Sequence, residues 1–239
     1  MAKELNMVEA LNLAMREEME ADETVVVLGE DVGVDGGVFR VTKDLMEDFG
    51  EERVMDTPLA ESAIVGAAIG MAINGLKPVA ELQFSGFSYF AFHQIESHAA
   101  RYRWRSQGRF NIPMVIRMPY GGGVRALEHH SESREAFFAH MPGIRTVVPS
   151  GPRNARSLLK AVIQDPDPVI FLEPKALYRS HKETVPEDDD PHPLGQGRLA
   201  REGNALTLIS YGAMLPRTLE AADILESEHD SECDVIDLL

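Results

Sequence analysis

The stretch RVMDTPLAESAIVGAAIGMAI, residues 53–73, decides the fold class of this chain. Its first residues predict a short strand, Pro58 favours a turn, and the apolar run that starts at Glu61 predicts a helix. A strand that leads through a short turn into a helix is the repeating unit of a parallel sheet covered by helices. The stretch therefore indicates an α/β protein.

The same alternation of strands and helices continues on both sides of this stretch. TVVVLGED, residues 24–31, predicts a buried strand that leads into a glycine-bearing loop. Further strands are predicted at 77–84, 113–121, 145–150 and 168–174, and helices at 87–106, 133–141 and 152–164. Because these strands are apolar on both faces, we expect a doubly wound parallel sheet with ligands bound beyond the carboxyl ends of its strands.

One change in composition divides the chain into domains. Residues 1–180 carry the alternating pattern and form the predicted first domain. Residues 181–197, HKETVPEDDDPHPLGQG, are polar, acidic and rich in proline, as is typical of an interdomain linker. Residues 198–239 predict one strand, one helix and the opening of another strand, so we expect the start of a second α/β domain that is incomplete.

Charge and cysteine content narrow the function classes. The chain has 239 residues and a formal net charge of −16, which argues against a nucleic-acid partner. The single Cys233 excludes an internal disulfide and a multi-cysteine metal site, which suits a reducing compartment. No apolar run reaches the roughly 20 residues that cross a bilayer. We therefore predict a cytosolic protein without a membrane partner, and its acidity would suit a salt-rich cytoplasm.

Glu61 is the first candidate for chemistry. It follows a strand and a turn, opens an apolar helix and has Leu59, Ala60 and Ile64 nearby in sequence. Apolar surroundings favour the neutral form of a carboxyl group, which can then donate a hydrogen bond. The alternative interpretation is a first-turn glutamate that complements the helix dipole, and the pattern alone leaves both open.

His129 and His130 follow the glycine-rich segment YGGGVRALE, where a parallel sheet would place its site. Histidine can move protons near neutral pH. A surface pair at the start of the next helix is an equally good interpretation of the pattern alone. An aromatic cluster after the strand at 77–84 includes Phe84 and Phe87, and one of its rings could stack on a flat heterocycle.

Six blocks of the sequence carry a family resemblance. They are GEDVGVDGGVFRVT (29–42), RVMDTPLAESAIVGAAIGMA (53–72), PVAELQFSGF (78–87), VIRMPYGGG (115–123), HHSESREAFFAHMPGIRTVVPS (129–150) and DPVIFLEPKALYR (167–179). In this order they resemble the beta subunit of the thiamin-diphosphate-dependent pyruvate and branched-chain 2-oxo acid dehydrogenases. The resemblance implies a pyrimidine-binding domain, followed by the start of a transketolase-like carboxyl-terminal domain.

The resemblance also implies roles for particular residues. Glu61 would hydrogen-bond the ring nitrogen of the cofactor's aminopyrimidine and so activate the cofactor. Leu59, Gln83 and Phe87 would line the pyrimidine pocket, with Phe87 at a position where relatives often have tyrosine. His130 would contact the substrate and assist transfer of the acyl group to lipoamide, whereas relatives often have tyrosine or glutamine in place of His129.

Partners and ions follow from the same resemblance. The Gly-Asp-Gly motif that binds Mg²⁺ and diphosphate in this enzyme class does not occur in the sequence. An alpha subunit would therefore supply that half of the site in an alpha2-beta2 tetramer, which would act on a lipoyl domain and dock on an acyltransferase core. A potassium ion would bind main-chain carbonyls that map to Met114, Val162, Ile163, Asp165 and Asp167. A noncatalytic assembly subunit and a transketolase-like pyrimidine domain are the rival functions.

Overall fold

A computed structural model describes residues 2–186 and 191–239. Its strands are β1 (Lys3–Leu5), β2 (Val25–Gly29), β3 (Val54–Asp56), β4 (Lys77–Glu81), β5 (Val115–Tyr120), β6 (Arg145–Val147), β7 (Val169–Pro174), β8 (Glu183–Val185), β9 (Arg198–Arg201), β10 (Leu206–Ser210) and β11 (Cys233–Asp237). Its α-helices are α1 (Met7–Ala21), α2 (Leu45–Phe49), α3 (Glu61–Ile73), α4 (Ser88–Gln94), α5 (Tyr102–Arg105), α6 (Glu135–Ala139), α7 (Pro152–Gln164) and α8 (Leu215–His229).

A six-stranded sheet organises the first domain, with the strand order β3-β2-β4-β5-β7-β6. All neighbouring strands in it are parallel. Strands β2, β5 and β7 are buried along their whole length, as parallel strands covered on both faces must be. The predicted doubly wound parallel sheet is confirmed.

Helices cover both faces of this sheet because alternate side chains of each strand point in opposite directions. On one face, Val27 and Phe171 belong to a core that α1 and α7 complete. On the other face, Leu28 and Ile170 belong to a second core, packed by α3 and α4. The sheet is thus held rigidly between two apolar layers, and its strand ends form a fixed platform for a site.

The first helix begins at a capping box. The side chain of Asn6 accepts a hydrogen bond from Glu9 N at 3.0 Å, and the Glu9 carboxylate accepts one from Asn6 N at 2.8 Å. Two backbone N–H groups that α1 leaves without helical partners are thereby satisfied. The capping box therefore fixes the start of α1.

Replacing Asn6 with alanine is expected to lower the free energy of unfolding by about 1 kcal/mol, because the cap accepts one of these orphan N–H bonds. Urea unfolding of the Asn6→Ala variant measures the loss. The matched control is Asn74→Ala, which removes an asparagine that follows α3 and has its side chain bonded to Gly70 O. A loss no larger than that of the control would contradict the role of the cap.

The predicted helix at 87–106 is divided into three pieces, which corrects that expectation. α4 passes into a π-helical turn at Ile95–Ala99, and α5 follows after a break. Ala100 N donates to Ile95 O at 2.9 Å, five residues back. The carbonyl of Ala100 faces Gly143 so closely that a Cβ at Gly143 would lie 2.0 Å from it. The break therefore allows the loop before β6 to pack against the helix.

Part of the predicted linker forms a short strand. β8, within residues 181–197, pairs antiparallel with β1 at the start of the chain. The Glu183 carboxylate also accepts a hydrogen bond from Arg153 N at the start of α7, at 2.9 Å. Residues 183–185 thus pack on the first domain. Part of the predicted linker, residues 187–190, lies outside the described residues.

The second unit contains β9, β10, α8 and β11. β10 pairs parallel with β11, as the predicted strand-helix-strand order requires, and β9 pairs antiparallel with β11 on its other side. The sequence did not predict β9, because its RLAR residues lack the apolar run of a buried strand. Ser150 joins the two units: its Oγ donates to Asp237 and accepts from Gly212 N, both at 2.7 Å.

Within the described ranges, no helix has both the length and the apolar character needed to cross a bilayer.

Candidate active site

The candidate site lies where the order of strands reverses. β2 connects to β3 on one side of the sheet, whereas its neighbour β4 connects to β5 on the other side. The loops after β2 and β4 therefore diverge and open a crevice, which is where doubly wound sheets bind ligands. A hydrogen bond from Gln83 Nε2 to Asp31 Oδ2, 3.0 Å long, spans the crevice.

Glu61 stands at the edge of this crevice as the first residue of α3. Glu61 is 7% exposed, whereas Leu59, two residues earlier, is 71% exposed. The preceding Ala60 provides no side-chain cap for the helix. No side chain in the described parts of the chain forms an ion pair or a hydrogen bond with the Glu61 carboxyl group. This buried carboxyl group is therefore available to a ligand. The side chain of Leu59 beside it is exposed to solvent.

Two further acids follow β2 and share the environment of Glu61. Burial raises the pKa of Glu30 above its ordinary value, and the nearby charges of Asp31 and Glu61 raise it further. Glu30 is therefore the acid of this crevice whose neutral form is favoured. The crevice thus holds a cluster of carboxyl groups beside Glu61.

His130 packs against two aromatic rings of the segment after β4. Its ring centroid lies 4.4 Å from that of Phe84 and 5.3 Å from that of Phe87, both in edge-on geometry. Its Nδ1 atom is buried and has no hydrogen-bond partner among the described residues. One ring nitrogen of the imidazole is therefore left without the hydrogen bond that buried polar atoms usually make.

The segment that carries His130 is anchored from three sides. Glu132 O accepts hydrogen bonds from Ser85 Oγ at 2.8 Å and from Gly121 N at 2.9 Å. Lys175 Nζ donates to His130 O at 2.7 Å. Gly86 allows the closest approach, because a Cβ there would lie 2.1 Å from the carbonyl oxygen of His129. The main chain around His130 is thus fixed to β4, β5 and β7.

A buried ionic network supports the site from within the sheet. Arg117 on β5 donates to Glu173 on β7 through Nε at 2.6 Å and Nη2 at 3.0 Å. It also donates through Nη1 to Glu81 on β4 at 2.8 Å. Tyr178 donates to the same Glu173 at 2.6 Å. The network lies in the core, since Arg117 and Glu173 are 0% exposed and Glu81 is 4% exposed.

Charge states in this network follow from burial and from its two carboxylates. Burial opposes the charge of Arg117, but Glu173 and Glu81 together raise the pKa of Arg117 above its ordinary value. Burial raises the pKa of Glu81, with Arg117 acting in the opposite direction. A Cβ at Gly37 would lie 3.5 Å from the Glu81 carboxylate. The network therefore reaches the loop that follows β2.

The predicted potassium ligands lie just before β5, in the last turn of α7 and in the loop that follows α7. Val162 and Ile163 lie in the last turn of α7, where carbonyls have no partner within the helix and carry partial negative charge. Met114 O accepts a hydrogen bond from Val169 N at 3.0 Å, which leaves its second lone pair. The potassium site at these carbonyls stays a prediction.

The remaining two predicted ligands, Asp165 and Asp167, use their side chains elsewhere. Asp165 pairs with Arg145, and Asp167 pairs with Arg103 at 2.6 Å. Only their main-chain carbonyls are therefore open to a potassium ion. In the described ranges, no group of three or more His, Cys, Asp or Glu side chains is placed to hold a metal.

The arrangement suits a flat, uncharged heterocycle with hydrogen-bonding nitrogens. Glu61 offers a carboxyl group at one end of the crevice, Gln83 offers an amide, and Phe87 offers a half-buried ring. A diphosphate would need cations or many N–H donors, whereas the crevice contains the acids Glu30 and Asp31. The residues fit an aminopyrimidine and do not fit a diphosphate with its metal.

Sequence reasoning missed Glu30, Lys175 and the Arg117 network. Glu30 and Asp31 directly follow a buried parallel strand, a position that could have marked them as site residues. Charged residues inside the otherwise apolar strands β4, β5 and β7 could have indicated a buried ionic network. The contact between Lys175 and His130 had no local signal, since it joins residues 45 positions apart in sequence.

Two family models match successive parts of the chain. Residues 3–181 match the transketolase pyrimidine-binding domain, and residues 195–239 match the transketolase C-terminal domain. Among solved structures, a split-gene transketolase described as an inactive beta4 tetramer has a TM-score of 0.76 and 23% identity over 98% of this chain and 71% of its own. Transketolase from Campylobacter jejuni has a TM-score of 0.76 and 16% identity, over 99% of this chain and 35% of its own. At these identities the structures show a shared fold.

Sequence relatives are much closer. The pyruvate dehydrogenase E1 component subunit beta of Acholeplasma laidlawii is 50% identical over 98% of this chain and 71% of its own length. The 2-oxoisovalerate dehydrogenase subunit beta of Bacillus subtilis is 51% identical over the same shares. The 3-methyl-2-oxobutanoate dehydrogenase subunit beta of Mycobacterium tuberculosis is 47% identical over 98% of this chain and 67% of its own. The chain therefore belongs to the family of beta subunits of the thiamin-diphosphate-dependent 2-oxo acid dehydrogenases.

Proposed function

We propose that this chain, together with an alpha subunit, catalyses oxidative decarboxylation of pyruvate or a branched-chain 2-oxo acid and transfers the acyl group to a lipoyl domain. The observation that carries the proposal is the buried carboxyl group of Glu61, which has no partner in the described chain and stands at the crevice between β2 and β4. About 50% identity to the dehydrogenase beta subunits supports the reaction class.

The proposed cofactor is thiamin diphosphate, which supplies a carbon nucleophile that attacks the 2-oxo acid. Glu61 would hold a proton at the ring nitrogen of the aminopyrimidine, and its buried position excludes water from that hydrogen bond. Leu59 and Phe87 would cover the faces of the ring, and Gln83 would donate to or accept from its edge. Glu30 would help to retain a proton near Glu61, since burial already raises its pKa.

The proposed alpha subunit would contribute the diphosphate half of the site together with Mg²⁺. Two features support this division. Leu59 is exposed, so a partner has to cover it, and the acidic crevice has no cations of its own, so a partner has to bring them. The assembly would be an alpha2-beta2 tetramer that docks on an acyltransferase core. We also propose that potassium binds the carbonyls of Met114, Val162, Ile163, Asp165 and Asp167, and that the protein acts in the cytosol.

His130 is proposed to contact the substrate and to assist transfer to lipoamide. Replacing it with glutamine keeps a polar side chain but removes the titratable ring, so acylation of an isolated lipoyl domain should fall about 10²-fold. Cofactor affinity should change little, because Leu59, Glu61 and Gln83, which are proposed to bind the ring, are not altered.

The matched control for His130 is His129→Gln, since the side chain of His129 is exposed while its main chain packs on Gly86. Unchanged acylation in His130→Gln, or an equal loss in both variants, would remove His130 from the transfer step.

Copurification with a candidate alpha chain, followed by turnover assays on a panel of 2-oxo acids, tests the proposed function. Decarboxylation coupled to acylation of a lipoyl domain is expected. A stable complex without turnover would favour a noncatalytic assembly subunit. Transfer of a two-carbon unit to a sugar phosphate would favour the transketolase-like alternative, which the shared fold leaves open.

A further inference from the structure

We propose that Lys175 is a positioning residue for His130, fixing the main chain of the histidine so that its ring faces the substrate. This inference rests on the proposed role of His130 in acyl transfer. Lys175 follows β7 directly, and its Nζ donates to His130 O at 2.7 Å. No role was predicted for Lys175 from the sequence.

The surroundings of Lys175 explain why a single bond can control the position of His130. The lysine is 6% exposed, and its Nζ lies 5.1 Å from the centre of the Phe84 ring. Phe84 is in turn in edge contact with His130 at 4.4 Å. The ammonium group therefore holds the histidine carbonyl and one of the two rings that bracket the imidazole.

Burial lowers the pKa of Lys175 to about 8. The ammonium form thus remains the main form at neutral pH, and its hydrogen bond to His130 O is charge-assisted. Without the lysine, the segment at 128–132 keeps its link to Ser85 through Glu132 O, but His130 O loses its side-chain donor. The segment is therefore expected to stay folded while the imidazole becomes less well oriented.

Lys175→Met tests the inference in the complex reconstituted with its alpha subunit, because methionine keeps much of the side-chain length and removes the donor. The rate constant for acylation of an isolated lipoyl domain should fall about tenfold, as expected for loss of a charge-assisted hydrogen bond. Decarboxylation coupled to ferricyanide, which bypasses the lipoyl domain, should stay within about twofold.

Two further variants separate positioning from general support. Lys175→Arg and Lys175→Gln retain N–H donors, and at least one of them should recover most of the acylation rate. The same pair carries the test if Lys175→Met does not assemble. Lys160→Met is the matched control, since Lys160 pairs with Glu17 on α1 and is expected to leave both assays unchanged.

Any of three results would overturn the inference. They are unchanged acylation in Lys175→Met, equal losses in both assays, and no recovery in the variants that retain a donor. His130→Gln, measured in parallel, distinguishes the two claims. If His130→Gln keeps full acylation, the proposed role of His130 fails; if it loses acylation while Lys175→Met does not, only the role of Lys175 fails.

Discussion

Replacing Glu61 with glutamine is expected to lower turnover of the reconstituted complex by about 10²-fold or more, the usual contribution of a positioned acid or base. Glutamine has nearly the same shape but cannot share a proton with a ring nitrogen. KM for the 2-oxo acid should change little, because Glu61 is proposed to contact the cofactor. Steady-state assays with a 2-oxo acid and a lipoyl domain measure both constants.

The matched control is Glu52→Gln. Glu52 is an exposed glutamate just before β3, at the end of the strand opposite to Glu61, and carries the same formal charge. Its replacement is expected to leave turnover within about twofold, since isolated surface substitutions change little. If Glu61→Gln retained the turnover of Glu52→Gln, the carboxyl group would not be part of the chemistry.

Replacing Arg117 with methionine should produce the largest loss of stability. Two carboxylates, Glu81 and Glu173, would remain in the core without the guanidinium that both accept from. Breaking a buried ion pair from one side typically costs about 3–5 kcal/mol, because a buried charge is left uncompensated. Urea unfolding of the chain, followed by circular dichroism, measures this difference.

A second variant tests the cause of that loss. In Arg117→Met combined with Glu81→Gln and Glu173→Gln, no charge remains in this network, and most of the lost stability should return. Arg105→Met, which removes an exposed arginine, is expected to stay within about 0.5 kcal/mol of the unaltered chain. A loss in Arg117→Met as small as in Arg105→Met would show that the network does not stabilise the fold.

Local pattern was sufficient to predict the sheet and the helices on both of its faces. Apolar runs such as TVVVLG and PVIFLEP are too short for helices and too uniformly apolar for half-exposed strands, so they indicate buried parallel strands. The break at Ala100 was not predictable in this way. It depends on how closely Gly143, more than forty residues later, approaches that carbonyl.

In the candidate site, too, local sequence pointed to some residues and not to others. Glu61 could be singled out because it opens an apolar helix directly after a strand, although the pattern alone did not separate catalysis from helix-dipole compensation. The six sequence blocks were needed to favour catalysis for it and for His130. Lys175 could not be found from sequence, because its function in the site arises only where the turn after β7 meets the segment of His130.

The most direct test of the account is a structure of the reconstituted complex with thiamin diphosphate bound. We expect a Glu61 carboxyl oxygen within about 3.2 Å of a ring nitrogen of the aminopyrimidine, the upper range of a hydrogen bond to nitrogen. The diphosphate should lie on the alpha subunit. A Glu61 side chain turned toward solvent, with the ring bound elsewhere, would contradict the proposed function.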